Sequence, residues 1–218
     1  MKRLLFAMLF WVLGLYAFGQ APFYCTTEAY LFQYNDVYTV NLATGQAVLE
    51  AQDVTPDNIN AAAYNPGDGY IWGALTSPEQ AIVRIGLNYT TDIYTLPSLF
   101  TSNPYVGAIN SEGQYYLKPG GQDFQIVDLD PTSGDYLSVV DTKALSQNIA
   151  IADWAFNAVD NQLYTVTLGG ANKLCRIDPT TGVVEDLGEV PILSGLNYTY
   201  GAVYFDVDAS KKKKKSQP

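Results

Sequence analysis

The sequence predicts an all-β fold, a β-propeller-like ring of about four four-stranded blades. Three observations carry this expectation. One pattern recurs four times; the segments between Gly, Asn, Asp and Pro turns are short and rich in Val, Ile, Tyr and Phe; and no ten-residue helical period separates them. Four strands in a unit of ~40 to 50 residues are the signature of a propeller blade.

The first line of the repeat is a strand running into a turn. Val40, Ile85, Leu129 and Ile177 occupy its equivalent positions, 45, 44 and 48 residues apart, and Gly45, Gly134 and Gly182 close the following turn in three of the four copies. The second line is a strand, an Asn-centred turn and another strand, with Asn65, Asn110 and Asn157 in register. Innermost strands are expected at Ala61 to Tyr64, Val106 to Ile109, Asp153 to Phe156 and Gly201 to Tyr204, where Ala and Gly suit a crowded axis. Residues 29 to 51 supply only the last three strands of a blade: Ala29 to Gln33, Val37 to Asn41 and Gln46 to Glu50. The segment Gly201 to Asp206 resembles the missing first strand, so the N- and C-terminal strands are expected to pair and close the ring.

Residues 1–19 read as a secretory signal peptide. Lys2 and Arg3 precede an uncharged apolar run from Leu4 to Phe18, shorter than the ~20 residues of a membrane span, and Ala17 and Gly19 suit cleavage before Gln20. The mature product is therefore expected to be secreted or at the cell surface, with no membrane association after cleavage, as a domain over 20–210 and a disordered lysine-rich tail over 211–218. In an oxidising compartment Cys25 and Cys175 are expected to form a disulfide, because blades one and four are neighbours in a closed ring. Asn88 and Asn197 begin sequons that are glycosylated only in a eukaryotic source.

Charge and composition narrow the function. Of twelve basic residues seven are Lys2, Arg3 and Lys211 to Lys215, which leaves five in the body against 22 acids. Such a surface repels phosphate backbones, so the body is expected to bind no nucleic acid. The chain has no His, which excludes Ser-His-Asp and Cys-His catalysis within it.

Asn60 to Gly73, Asp153-Trp154-Ala155-Phe156-Asn157, Arg176 to Gly182 and Tyr200 to Asp206 resemble a propeller-like secreted domain family of unknown function, found in bacterial and animal surface or adhesin-like proteins. The resemblance covers roughly residues 23 to 208. It implies a propeller-like fold and no agreed catalytic residues. After Asp208 the chain departs from the family pattern, with five lysines where a further Gly-Asn turn and strand are expected.

Candidate chemistry is sparse. Gly120-Gly121 and Gly169-Gly170 read as hairpin turns rather than phosphate cradles, since no helix follows them. Asp128, Asp130 and Asp135 lack the twelve-residue calcium-loop pattern, and neither a metal nor a cofactor is expected. The inter-blade connections, residues 51–59, 97–105, 141–152 and 188–200, are the better place for a ligand, because blades hold such loops rigidly at one rim. Phe100, Tyr105, Asp153, Trp154, Tyr198 and Tyr200 are the candidate ligand-binding residues. The expected function is a non-catalytic extracellular binding or adhesion module with a cell-surface glycan or protein as its partner. The alternative is a secreted glycan-acting enzyme, a glycosidase or lyase, using paired carboxylates among Asp57, Asp153 and Asp206 at the channel mouth.

Overall fold

The computed structural model describes residues 20–23, 28–169, 172–196 and 201–204. They form the four antiparallel sheets of a β-propeller. Blade one holds β1 (Glu28–Gln33), β2 (Asp36–Asn41) and β3 (Ala47–Ala51), paired in the order β1-β2-β3. Blade two holds β4 (Ile59–Tyr64), β5 (Ile71–Leu75), β6 (Ala81–Ile85) and β7 (Thr91–Thr95). Blade three is β8 (Val106–Ile109), β9 (Gln114–Lys118), β10 (Asp123–Asp128) and β11 (Val139–Ala144); blade four is β12 (Ala155–Asn157), β13 (Gln162–Val166), β14 (Lys173–Ile177) and β15 (Val184–Glu189). Each sheet is a meander, so every strand neighbours its sequence neighbour and each connection can stay short.

The alternation of side chains sorts each strand into two faces, and the faces of successive blades bury one another. Between blades one and two lie Ile59, Ile71, Val83 and Ile85 with Phe23, Tyr30 and Phe32. Between two and three lie Trp72, Ile82, Leu96, Tyr115, Leu117 and Val127, and between three and four Val106, Tyr116, Phe124, Trp154, Leu163 and Ile177. Each fully buried aliphatic or phenyl side chain contributes about 1.5–3 kcal/mol. Tight turns set the registers. Asn65, Asn110 and Asn157 each turn a side-chain oxygen back onto an N–H two residues on, at Gly67, Glu112 and Val159. This is why the Asn positions keep one register in the sequence.

The inner strands meet tightly at the axis. A Cβ on Gly107 would stand 2.5 Å from the carbonyl oxygen of Ala61, so β8 approaches β4 only because residue 107 is glycine. Ala61 sits in a bulge of β4 with φ of 55°, which turns its carbonyl toward the Tyr115 hydroxyl at 2.5 Å.

The expected inner strand of blade four starts later than the sequence implied, at Ala155, because Asp153 is drawn out of the ladder: its carbonyl accepts the Thr165 hydroxyl at 2.6 Å. The strand expected to complete blade one is not formed over Gly201–Tyr204; among the described residues β1 pairs with β2 alone. Val203 instead donates its N–H to the Asp153 carboxylate at 3.0 Å, which holds this segment beside blade four at the axis. Phe205 and Asp206 lie outside the described residues, as do the signal segment and the lysine tail. Among the described residues no helix is long and apolar enough to cross a membrane.

Candidate functional site

In a meander of four strands, the loops leaving the outer strand and the turns joining the second and third strands emerge at the same end of the blade. One device recurs there. The residue just before the last strand but one is a carboxamide in all four blades: Asn35, Gln80, Gln122 and Asn172. Its backbone carbonyl accepts the N–H of a residue shortly after the outer strand, Val54, Leu96, Leu145 and Val190, at 2.8–3.1 Å. Its side-chain NH2 donates to carbonyls of the departing loop: Asn35 to Thr55 at 2.8 Å, Gln80 to Pro97 at 2.7 Å and Leu99 at 2.6 Å, Gln122 to Leu145 at 3.2 Å, Asn172 to Leu196 at 3.0 Å. These latches fix each inter-blade loop to the blade it leaves. Buried aliphatic anchors, Leu96 and Leu99 in one loop and Leu145, Ile149 and Ile151 in another, hold the loops from below.

The second and third connections present mainly polar side chains outward, whereas the fourth exposes Ile192 and Leu196. Thr101 and Ser102 are exposed in the second connection, and Ser146, Gln147 and Asn148 in the third. Tyr105, at the end of the second connection, is 42% exposed with its N–H on the Lys118 carbonyl, and Tyr34, in the β1–β2 turn of the same end, is 70% exposed. Phe100 is half-buried, and its N–H donates to the Gln125 side chain at 2.8 Å. Trp154 goes to the core rather than the rim: it is 1% exposed and meets Phe124 edge-on with ring centroids 5.8 Å apart. The cause is the apolar layer between blades three and four, which takes the first large side chain to enter β12. The third loop also begins later than expected, at Leu145, since Asp141 to Ala144 belong to β11. Tyr198, Tyr200 and Asn197 lie outside the described residues, whereas Asn88 is exposed at the β6–β7 turn.

Asp153 lies beneath this rim at the axis. Its carboxylate accepts backbone N–H groups from Trp154, Gly107 and Val203, joining blade three, blade four and the C-terminal segment. Burial pushes its pKa up to about 7 against these hydrogen bonds, which favour the charged form. Asp57 is half-buried in the first inter-blade loop, with its carboxylate on the N–H of Asn58 at 2.7 Å.

The five bases of the body are all engaged. Arg84 pairs with Asp92 at 2.7 Å, Lys143 with Asp141 at 3.3 Å, Lys173 with Asp186 at 2.5 Å and Arg176 with Glu185. Lys118 is buried, its ammonium donates to the Pro119 carbonyl at 3.0 Å, and burial lowers its pKa. The exposed acids are thus largely uncompensated. Asp128 and Asp130 are spent on turns, Asp130 holding Thr132 through both its N–H and its hydroxyl at 2.8 Å, and no group of His, Cys, Asp and Glu among the described residues is arranged to hold a metal.

Cys175 is a free, buried thiol in this structure, and Cys25 lies outside the described residues. The strand alternation puts Cys175 on the same face of β14 as Ile177, which packs toward blade three; the face toward a neighbouring blade one carries Leu174 and Arg176. Burial raises the Cys175 pKa.

Residues 27–206 match a family described as a repeat of unknown function (DUF6923). No curated protein matches. Among solved structures the chain is similar to the WD40 repeats of RRP9, with 10% identity over 73% of this chain and 47% of that one, and a TM-score of 0.48. It is also similar to a structural genomics protein of unknown function from Bacteroides thetaiotaomicron (12% identity, 77% and 46% covered, TM-score 0.48). A third is the extracellular domain of a proposed one-component system from B. thetaiotaomicron (13% identity, 85% and 30% covered, TM-score 0.48). The chain spans about half or less of the length of these structures.

Proposed function

We propose, for a chain that belongs to the DUF6923 family of repeats of unknown function, that it is an exported, non-catalytic binding module whose ligand meets the rim of inter-blade loops. The observation that supports this reading is the fourfold carboxamide latch. It holds the loops, two of them with polar tips, in fixed positions, so little conformational entropy is lost when they close on a partner. Hydroxyl and amide tips at an end that also exposes the Tyr105 and Tyr34 rings suit a neutral glycan, whose hydroxyls need donors and acceptors and whose ring face stacks on an aromatic. The acidic body disfavours anionic partners. A surface glycan partner accords with an adhesion role for the exported chain.

The reading is tested by screening the secreted chain against a panel of neutral glycans. Tyr105→Ala is expected to weaken the captured glycan at least about tenfold, the cost of one stacked ring, without moving the thermal transition. Equal binding by Y105A would overturn the assignment of the rim.

One observation favours a second reading, a glycan-acting enzyme. Asp153, with a pKa pushed up to about 7, is protonated to a useful degree near neutral pH, as a general acid must be. Its three backbone N–H partners give it a structural task already. Release of reducing sugar by the wild type but not by Asp153→Asn would establish the enzymatic reading.

A further inference from the structure

At the end of the propeller opposite the latched loops, residues 20–23 lie across blade two in a fitted seat. The Gln20 carboxamide is held from three sides: its Oε1 accepts Arg84 Nε–H at 2.9 Å, and its Nε2 donates to the carbonyls of Arg84 at 3.2 Å and Thr90 at 2.8 Å. The Gln20 carbonyl accepts the Tyr70 hydroxyl at 2.8 Å, and Arg84 stacks over the Tyr70 ring at 4.7 Å. Next along the chain, the Ala21 carbonyl accepts the Leu87 N–H at 2.8 Å, and Phe23 donates to Gly69 at 2.7 Å and buries its ring against Tyr30 and Tyr89. Two glycines form the floor: a Cβ on Gly86 would stand 2.9 Å from Gln20 Cβ, and one on Gly69 2.8 Å from Pro22 Cβ.

We propose that Gln20 is the first residue of the mature chain and that this seat on blade two is a receptor for an N-terminal glutamine, which folding protects from cyclisation. The proposal rests on the reading of residues 1–19 as an export signal cut before Gln20. A free N-terminal glutamine is prone to close on itself. The α-amino nitrogen attacks the γ-carboxamide carbon, a lactam C–N bond forms, the bond to Nε2 breaks, and Nε2 leaves as ammonia with a proton from the amine. Nothing is oxidised or reduced. The lactam lacks the NH2 group that binds the Arg84 and Thr90 carbonyls, and its ring cannot extend to the guanidinium. Cyclisation therefore requires Gln20 to leave its seat, and its rate follows the undocked fraction.

The test uses the full chain expressed in a secreting host, with intact mass and N-terminal sequencing of the product. The expected product begins at Gln20 with its amide intact. On incubation in native buffer, loss of ammonia is expected at least about tenfold more slowly than in urea-unfolded protein. Gly86→Ala, which crowds Gln20 without removing a core side chain, is expected to lose most of that protection; Arg84→Met serves where G86A fails to fold. A product beginning at another residue would overturn the proposal through its processing step. A product secreted already cyclised, equal rates in folded and unfolded protein, or unchanged protection in a folded variant would overturn it through the seat itself. None of these outcomes bears on ligand binding at the opposite rim.

Discussion

Asp153 and Gly107 show how single residues hold the axis. The Asp153 carboxylate gathers N–H groups from its neighbour Trp154 and from two segments distant in sequence, and its burial raises its pKa from 3.8 to about 7. A carboxyl whose pKa is higher in the folded than in the unfolded chain stabilises fully below the unfolded value and loses that contribution as pH rises through the folded one. Urea midpoints are therefore expected to fall between about pH 4 and about pH 7 in the wild type, and Asp153→Asn is expected to flatten that slope. A slope unchanged in D153N would show that other groups set it. Gly107→Ala tests the packing of β8 on β4. The added methyl has no space before the Ala61 carbonyl, so a loss of about 1–3 kcal/mol is expected in urea unfolding, and a loss near zero would mean that the inner strands can separate. Neither role is written in the local sequence, since each depends on contacts with segments roughly 40 to 50 residues away, a full repeat distant.

At the scale of the element, the blade is a meander whose two ends do different work. Asx turns such as Asn65, Asn110 and Asn157 close one end, and they were legible because their spacing barely varies. The latches at the other end were not. Asn35, Gln80, Gln122 and Asn172 alternate between two residue types and stand 45, 42 and 50 apart, because the loops between them differ in length. A carboxamide before a strand resembles any turn residue until its partner carbonyls are known. Gln80→Ala removes two such hydrogen bonds from the loop after β7. Amide exchange within residues 97–103 is expected to rise, with a stability loss of about 1–2 kcal/mol. Exchange unchanged in Q80A would mean that Leu96 and Leu99 alone fix the loop.

For the molecule as a whole, repeat length and strand composition made the all-β propeller legible, and three of its four sheets have the four strands expected. What remained hidden was decided by packing between blades. Trp154 is an aromatic beside an inter-blade loop in sequence but a core residue in space, and Tyr105, similarly placed in sequence, is the one left exposed. The proposed function rests on one end of the propeller, where the latched loops, Tyr105 and Tyr34 lie. Amide hydrogen exchange of the secreted chain with and without a captured neutral glycan tests that assignment most directly. Protection is expected in residues 96–105 and 145–154, with the glycan recovered unchanged; protection at the opposite turns or the outer strand edges, or cleavage of the glycan, would overturn the assignment of a non-catalytic rim site.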